Sequence, residues 1–215
     1  MDKKGMERAL ELLEREYPDA QPALEFSSPY ELLVATVLSA QCTDRQVNIC
    51  TRVLFQNYNT PERMLTLSEA ELEGYIHSCG FFRTKAKNLL SMSRDLVARF
   101  NGEVPRTREE LISLAGVGRK TANVVLSNAF NTPAIAVDTH VFRVANRIGL
   151  AEAKDVEKTE LQLMENIPEE RWSCAHHWLI YHGRRVCSAQ RPKCEGCTIK
   201  EVCCYAIHRQ GENIH

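Results

Sequence analysis

Hydrophobic positions recur along this chain at helical spacing almost throughout. Met6, Ala9, Leu10, Leu13 and Tyr17 share one face of a helix expected from about Gly5 to Tyr17, and the stretch from Pro18 to Pro22 breaks it. Ser28-Pro29-Tyr30-Glu31 has the spacing of a capping box, with proline in the first turn. The helix it opens, Glu31 to Leu38, is nearly all apolar and is therefore expected to be central; it ends at Ser39-Ala40-Gln41. Thr43 with Gln46 opens another helix, to about Tyr58, Thr60-Pro61-Glu62 starts a short one, and Ser68 with Glu71 caps a third that stops near Gly80. Ala86, Leu89, Leu90, Ser93, Leu96, Val97 and Phe100 mark a long amphipathic helix that ends before Gly102. A charged helix is expected from Asp155 to Glu165, and Pro168 opens a last long one through Trp172, His176, Trp178 and Ile180 to about Val186. Only Ala134 to Val137 reads as extended, and from Cys187 onward the Pro-, Gly- and Cys-rich tail is expected to be irregular. The pattern predicts an all-α protein, without internal repeats or low-complexity linkers.

The stretch from Thr107 to His140 is where chemistry enters. Thr107 and Glu110 form a capping box, a short apolar helix from Leu111 to Leu114 runs into Gly116-Val117-Gly118, and a second helix starts at Arg119-Lys120-Thr121. Glycine permits the left-handed angles and the close approach that such a turn needs. Amides at a helix start lack internal partners and sit at the positive end of the dipole, so they attract an anion. A nucleic-acid phosphate, held without reading sequence, is the natural one. Lys120 lies one residue inside that helix, and Asp138 precedes Thr139-His140 and a third helix.

Composition adds limits. A chain of 215 residues is long enough for a real core, and a 44% hydrophobic and 26% charged make-up is ordinary for a globular protein. The net charge of −1 announces no nucleic-acid partner. Local charge does: from Ala115 to Leu150 the basic residues Arg119, Lys120, Arg143 and Arg147 face Asp138 alone, while the first helix carries Glu7, Glu11, Glu14 and Glu16. The N-terminus has no apolar h-region, and no run approaches 18 apolar residues, so neither export nor a membrane span is expected. The expected location is cytoplasmic.

Nine cysteines without an export signal point to metal rather than disulfides. Cys187, Cys194, Cys197 and Cys203 are spaced C-x6-C-x2-C-x5-C. Structural zinc usually takes paired short spacings, and only one CxxC is present. The longer arms suit a larger inorganic core, for which thiolates are the normal ligands. Spacing selects Cys203 over its neighbour Cys204. Cys50, Cys79 and Cys174 lack metal spacing and read as buried thiols, and His176-His177 reads as core, since adjacent helical side chains point in different directions.

The Gly-Val-Gly-Arg-Lys-Thr-Ala run, followed by Val137-Asp138-Thr139-His140 and the four cysteines, resembles the endonuclease III family of DNA repair glycosylases over nearly the whole chain. The resemblance implies a two-lobed helix-hairpin-helix glycosylase fold: a six-helix barrel over residues 22–132, with the hairpin at about 107–130, and a second lobe of residues 1–21 plus 133–215 that holds a [4Fe–4S] cluster on Cys187, Cys194, Cys197 and Cys203. Lys120 and Asp138 then lie on opposite sides of a lobe boundary. The implied activity is excision of oxidised pyrimidines from duplex DNA, then strand cleavage by β-elimination through a Schiff base on Lys120. A lysine at its reference pKa of about 10.4 is a free amine in only about 1 molecule in 2,500 at pH 7. A helix start and partial burial both favour that form. Asp138 is the second catalytic residue, either stabilising positive charge on the sugar or assisting proton transfers, and aspartate is also a favoured helix cap.

Base removal requires extruding the nucleotide. Gln41 is implied to fill the gap, its amide replacing base-pair hydrogen bonds, and Phe81 either wedges the other strand or packs in the core. Gly116, Val117, Gly118 and Arg119 are expected to hold a phosphate. Arg143 is expected to contact DNA, and Arg184, Arg185, Arg191, Lys193 and Lys200 either contact DNA phosphates or offset cluster charge. The implied partner is damaged or abasic double-stranded DNA, bound by a monomer of bacterial, nucleoid-associated type. Two rivals remain: an adenine-specific mismatch glycosylase, whose relatives lack a lysine here, and a non-catalytic cluster-containing DNA-binding module. A ferredoxin-like electron carrier would leave the hairpin without a role.

Overall fold

The structure, a computed structural model, describes residues 1–212. Among them every regular element is helical, and the chain divides into two compact units: Pro22–Thr132, and Met1–Gln21 with Pro133–His215. No helix among them is long and apolar enough to cross a membrane.

In the unit Pro22–Thr132, α2 (Pro29–Leu38) is the centre, with every residue from Tyr30 to Leu38 buried. A helix that is apolar all round needs partners on every side, and α2 packs on α3 (Asp44–Leu54), α6 (Phe82–Phe100) and α8 (Arg119–Phe130). Its polar atoms are answered locally. The buried Glu31 carboxylate accepts from the Ser27 amide and hydroxyl at 2.6 and 2.8 Å, and the Tyr30 hydroxyl meets Ser93 Oγ at 2.7 Å. The short α4 (Pro61–Met64) and α5 (Glu69–Ile76) pack on α6, and α7 (Arg108–Ile112) packs on α8.

In the other unit, α11 (Trp172–Arg185) packs on α1 (Lys3–Glu16) and α9 (Thr139–Ile148), and α9 also meets α10 (Val156–Asn166) and α12 (Cys204–Glu212). Arg171, only 18% exposed, joins α1 through Glu7 at 2.9 Å and Glu14 at 3.0 Å.

Several expectations are corrected. Of the four expected capping boxes, Ser68–Glu71 closes in both directions. Ser28, Thr43 and Thr107 cap their helices, but the residues three on turn elsewhere: Glu31 to Ser27, Gln46 to Ser78, and Glu110 to the Thr107 hydroxyl rather than its amide. α1 begins at Lys3, because Asp2 accepts from the Gly5 amide. Pro168 is followed by a 3-10 turn, Glu169–Arg171, before α11 starts. The tail is not irregular throughout, since Cys204 opens a helix. Ala134–Val137 is buried but pairs with no strand.

Candidate functional site

The hairpin is built as its glycines require, but they do different work. Gly116 holds a φ of +78°, and a Cβ there would come within 3.0 Å of Asn88. Gly118 has an ordinary extended backbone, and a Cβ on it would meet nothing within 4 Å. Its missing side chain therefore serves nothing inside the protein and leaves the entrance to α8 open from outside. Between them Val117 is buried, pinned by its amide to the Leu114 carbonyl at 3.2 Å. α8 then starts with no side-chain cap, unlike α7, whose Thr107 accepts from the Glu110 amide. Uncapped first-turn amides at the positive end of a helix are an anion site. Lys120 is exposed in that first turn, so the partial burial expected for it is not found.

Gln41 and Phe81 lie in the same unit as the hairpin, each at a turn with left-handed backbone, φ 52° and 48°. Such angles are uncommon outside glycine and cluster at functional sites. Gln41 is exposed, and Phe81 is 66% exposed at the N-terminus of α6. The core reading of Phe81 is thereby removed. An exposed aromatic ring on a strained tip has no folding benefit to explain it.

Asp138 is the N-cap of α9. Its Oδ1 accepts from the His140 and Val141 amides, both at 2.8 Å, which leaves Oδ2 outside the cap. His140 is half-buried and meets Arg143 Nη2 at 3.1 Å. Arg143 is turned inward: its guanidinium also donates to the Cys187, Gly183 and Thr139 carbonyls at 3.0, 3.0 and 3.3 Å. It braces the start of the cysteine segment instead of standing free for a phosphate. Arg184, Arg191 and Lys193 are exposed.

The cysteines gather around the end of α11. Cys187 and Cys203 are buried, Cys194 and Cys197 half-buried, and Cys187 and Cys203 belong to the unit's apolar core. Burial pushes the Cys203 thiol up to about 11, and burial with the neighbouring Cys187 and Cys194 raises that of Cys197. Bare, these two thiols stay protonated, and a metal would have to draw off their protons. Cys204 turns toward Gly149: its Sγ lies 2.6 Å from where a Cβ on that glycine would be, and Met1 Cβ lies 3.2 Å from the same point. Among the described residues no three His, Cys, Asp or Glu side chains converge as on a single metal ion. A zinc ion would need its sulfurs about 2.3 Å from one point, whereas a larger cluster spreads them.

Two further residues serve these thiols: Arg147, which the sequence offered only as local basic charge, and His182, which it did not single out. Arg147 places Nη1 3.5 Å from Cys187 Sγ and 2.7 Å from the Ser188 carbonyl. His182 places Nε2 3.5 Å from Cys197 Sγ, and its Nδ1 lies 3.1 Å from the Tyr17 hydroxyl. Burial holds His182 down to about 4 and lifts Tyr17 to about 12. Both groups are neutral, and the hydrogen bond between them holds the imidazole with Nε2 toward sulfur. A hollow lined by Lys193, Lys200 and Arg209 adjoins Cys194. Cys174, expected to be buried, is exposed.

Over residues 34–169 the chain matches the family model described as HhH-GPD superfamily base excision DNA repair protein. It is 48% identical to the endonuclease III of Haemophilus influenzae over 205 residues, covering 95% of this chain and 97% of that one. It is 49% identical to that of Bacillus subtilis, covering 93% and 92%. The fold superimposes with a TM-score of 0.93, at 45% identity and 98% and 99% coverage, on the structure of a trapped endonuclease III–DNA covalent intermediate. A thermostable thymine-DNA glycosylase, at 23% identity and a TM-score of 0.87, shares the fold. The chain belongs to the endonuclease III family within that superfamily.

Proposed function

We propose that this protein is a bifunctional DNA glycosylase and abasic-site lyase of base excision repair, acting on oxidised pyrimidines in duplex DNA. The observation that carries the reading is the open, uncapped start of α8 with Lys120 exposed in its first turn. The full-length likeness to endonuclease III supports it.

In this reading the first-turn amides around Gly118 and Arg119 hold a backbone phosphate. Lys120, as the free amine, attacks the anomeric carbon of the extruded nucleotide, and the base departs with a proton. The resulting Schiff base acidifies the adjacent sugar carbon; loss of that proton expels the 3′ oxygen and breaks the strand. Asp138 contributes negative charge through Oδ2 while Oδ1 stays committed to the helix. Gln41 and Phe81 enter the gap, which offsets the few kcal/mol that extrusion costs.

Cys187, Cys194, Cys197 and Cys203 fit a [4Fe–4S] cluster in number, spacing and burial. The cluster, when bound, supplies a fixed scaffold for residues 187–203. Arg147 and His182 would orient the Cys187 and Cys197 thiolates that hold it, Arg143 fixes the segment's root, and Arg184, Arg191 and Lys193 face DNA phosphates. The units take the roles of barrel and cluster lobe, and the working partner is damaged or abasic duplex DNA on the bacterial nucleoid.

Borohydride trapping tests the reading. Incubation with an abasic-site duplex is expected to give a covalent protein–DNA adduct with the wild type and none with Lys120→Gln. A protein that binds the duplex but traps in neither form would be a binding module only.

A further inference from the structure

The two strained tips in the unit Pro22–Thr132 share a root. Gln41 stands three residues beyond Leu38, the last residue of α2, and Phe81 stands two residues beyond Cys79, the last of the 3-10 turn His77–Cys79. One side chain joins those two points. Lys85, in the second turn of α6 and only 5% exposed, donates from Nζ to the Leu38 carbonyl at 2.9 Å and to the Cys79 carbonyl at 2.7 Å. The ammonium thus fixes the last regular carbonyl before each tip.

A buried lysine is costly unless something needs it. Its hydrogen-bond partners are two carbonyls, with no carboxylate. The Leu38 carbonyl is at the negative end of α2, which favours a cation there. The thiols of Cys42, Cys79 and Cys50 lie near it, and Cys50 Sγ lies 3.4 Å from Cys79 Sγ and 3.1 Å from Ser78 Oγ, which Gln46 Nε2 reaches at 2.8 Å. Desolvation lowers the lysine pKa, the expected cost of this placement. A methionine or leucine would fill the same space more cheaply. What it would not do is hold two chain segments at one separation while the residues after them sit in left-handed conformations.

We propose that Lys85 is a positioning residue for base extrusion, a clamp that sets the spacing of Gln41 and Phe81 so that both enter the duplex at one site. The inference rests on the reading of those two residues given above. It requires Lys85 to touch neither DNA nor the reacting atoms. Its loss acts on the step that empties the stack, and leaves Lys120 chemistry intact.

The test compares two substrates. An abasic site has no base to unpair, so it demands little of the tips, whereas a paired oxidised pyrimidine demands the full extrusion. For Lys85→Met, borohydride trapping on the abasic duplex is expected to stay within about twofold of wild type, while single-turnover excision of the paired base falls about tenfold to a hundredfold, the size of effect a small misplacement causes. Combining Lys85→Met with Phe81→Ala is expected to cost little more than the larger single effect, because both act on one step. Lys85→Gln, which keeps a donor at shorter reach, is expected to show the same split at smaller size, and carries the test should Lys85→Met not fold. Equal losses on both substrates, or effects of Lys85 and Phe81 that multiply independently, would overturn the clamp. A wild type that fails to trap at all would overturn the glycosylase–lyase reading itself, and this inference with it.

Discussion

Single residues carry double duties here, and well-chosen substitutions separate them. Asp138 caps α9 with one oxygen and leaves the other outside. Asparagine caps as well as aspartate, so Asp138→Asn should melt close to wild type while base excision falls by about a hundredfold, the size of an electrostatic contribution at a reacting centre. Asp138→Ala should lose activity and about 1 kcal/mol of stability besides. Equal melting losses in both variants would make the residue a cap and nothing more. The hairpin glycines divide similarly. Gly116→Ala strains a positive φ and crowds Asn88, and is expected to cost about 1–2 kcal/mol in denaturant titrations. Gly118→Ala has room and ordinary angles, so the fold should hold while affinity for an abasic duplex drops and its salt dependence flattens. Both glycines were visible in the sequence, but their different roles were not. Only backbone angles and neighbours distinguish a glycine needed by the chain from one left open to a ligand.

At the scale of elements, legibility followed whether a signal was local. Helix starts, central α2 and the amphipathic face of α6 were readable because caps and periodicity are properties of adjacent residues. Lys85 was not readable, since its partners lie 47 and 6 residues away, and neither sits at helical spacing. Arg143 was readable only as basic charge for the same reason, since its carbonyl partners lie 40 and 44 residues on. The helix α11 buries three histidines, and burial holds two of them, His177 and His182, each down to about 4. Both stay neutral in the folded chain while the unfolded chain takes up protons from about pH 6.5 downward. Stability is therefore full above that pH and is lost as pH falls toward 4, by about 2 kcal/mol per histidine at pH 5. Urea midpoints at pH 7.5 and 5 should show the fall, and His177→Gln should reduce it. An unchanged midpoint would contradict the burial argument.

For the whole molecule, the net charge of −1 concealed a basic hairpin and a basic cysteine segment behind an acidic first helix. The choice between Cys203 and Cys204, which spacing made and composition did not, has a geometric counterpart: one thiol turns into the core with Cys187, the other toward Met1. Iron and sulfide analysis should find Cys203→Ala depleted and Cys204→Ala fully loaded. The reverse would move the fourth ligand by one residue. Every other part of the account serves one amine. Proteolysis of the borohydride-trapped complex and mass spectrometry of the DNA-bearing peptide test it most directly. The account predicts the sugar remnant on Lys120; a remnant on any other residue, the N-terminal amine included, would contradict it.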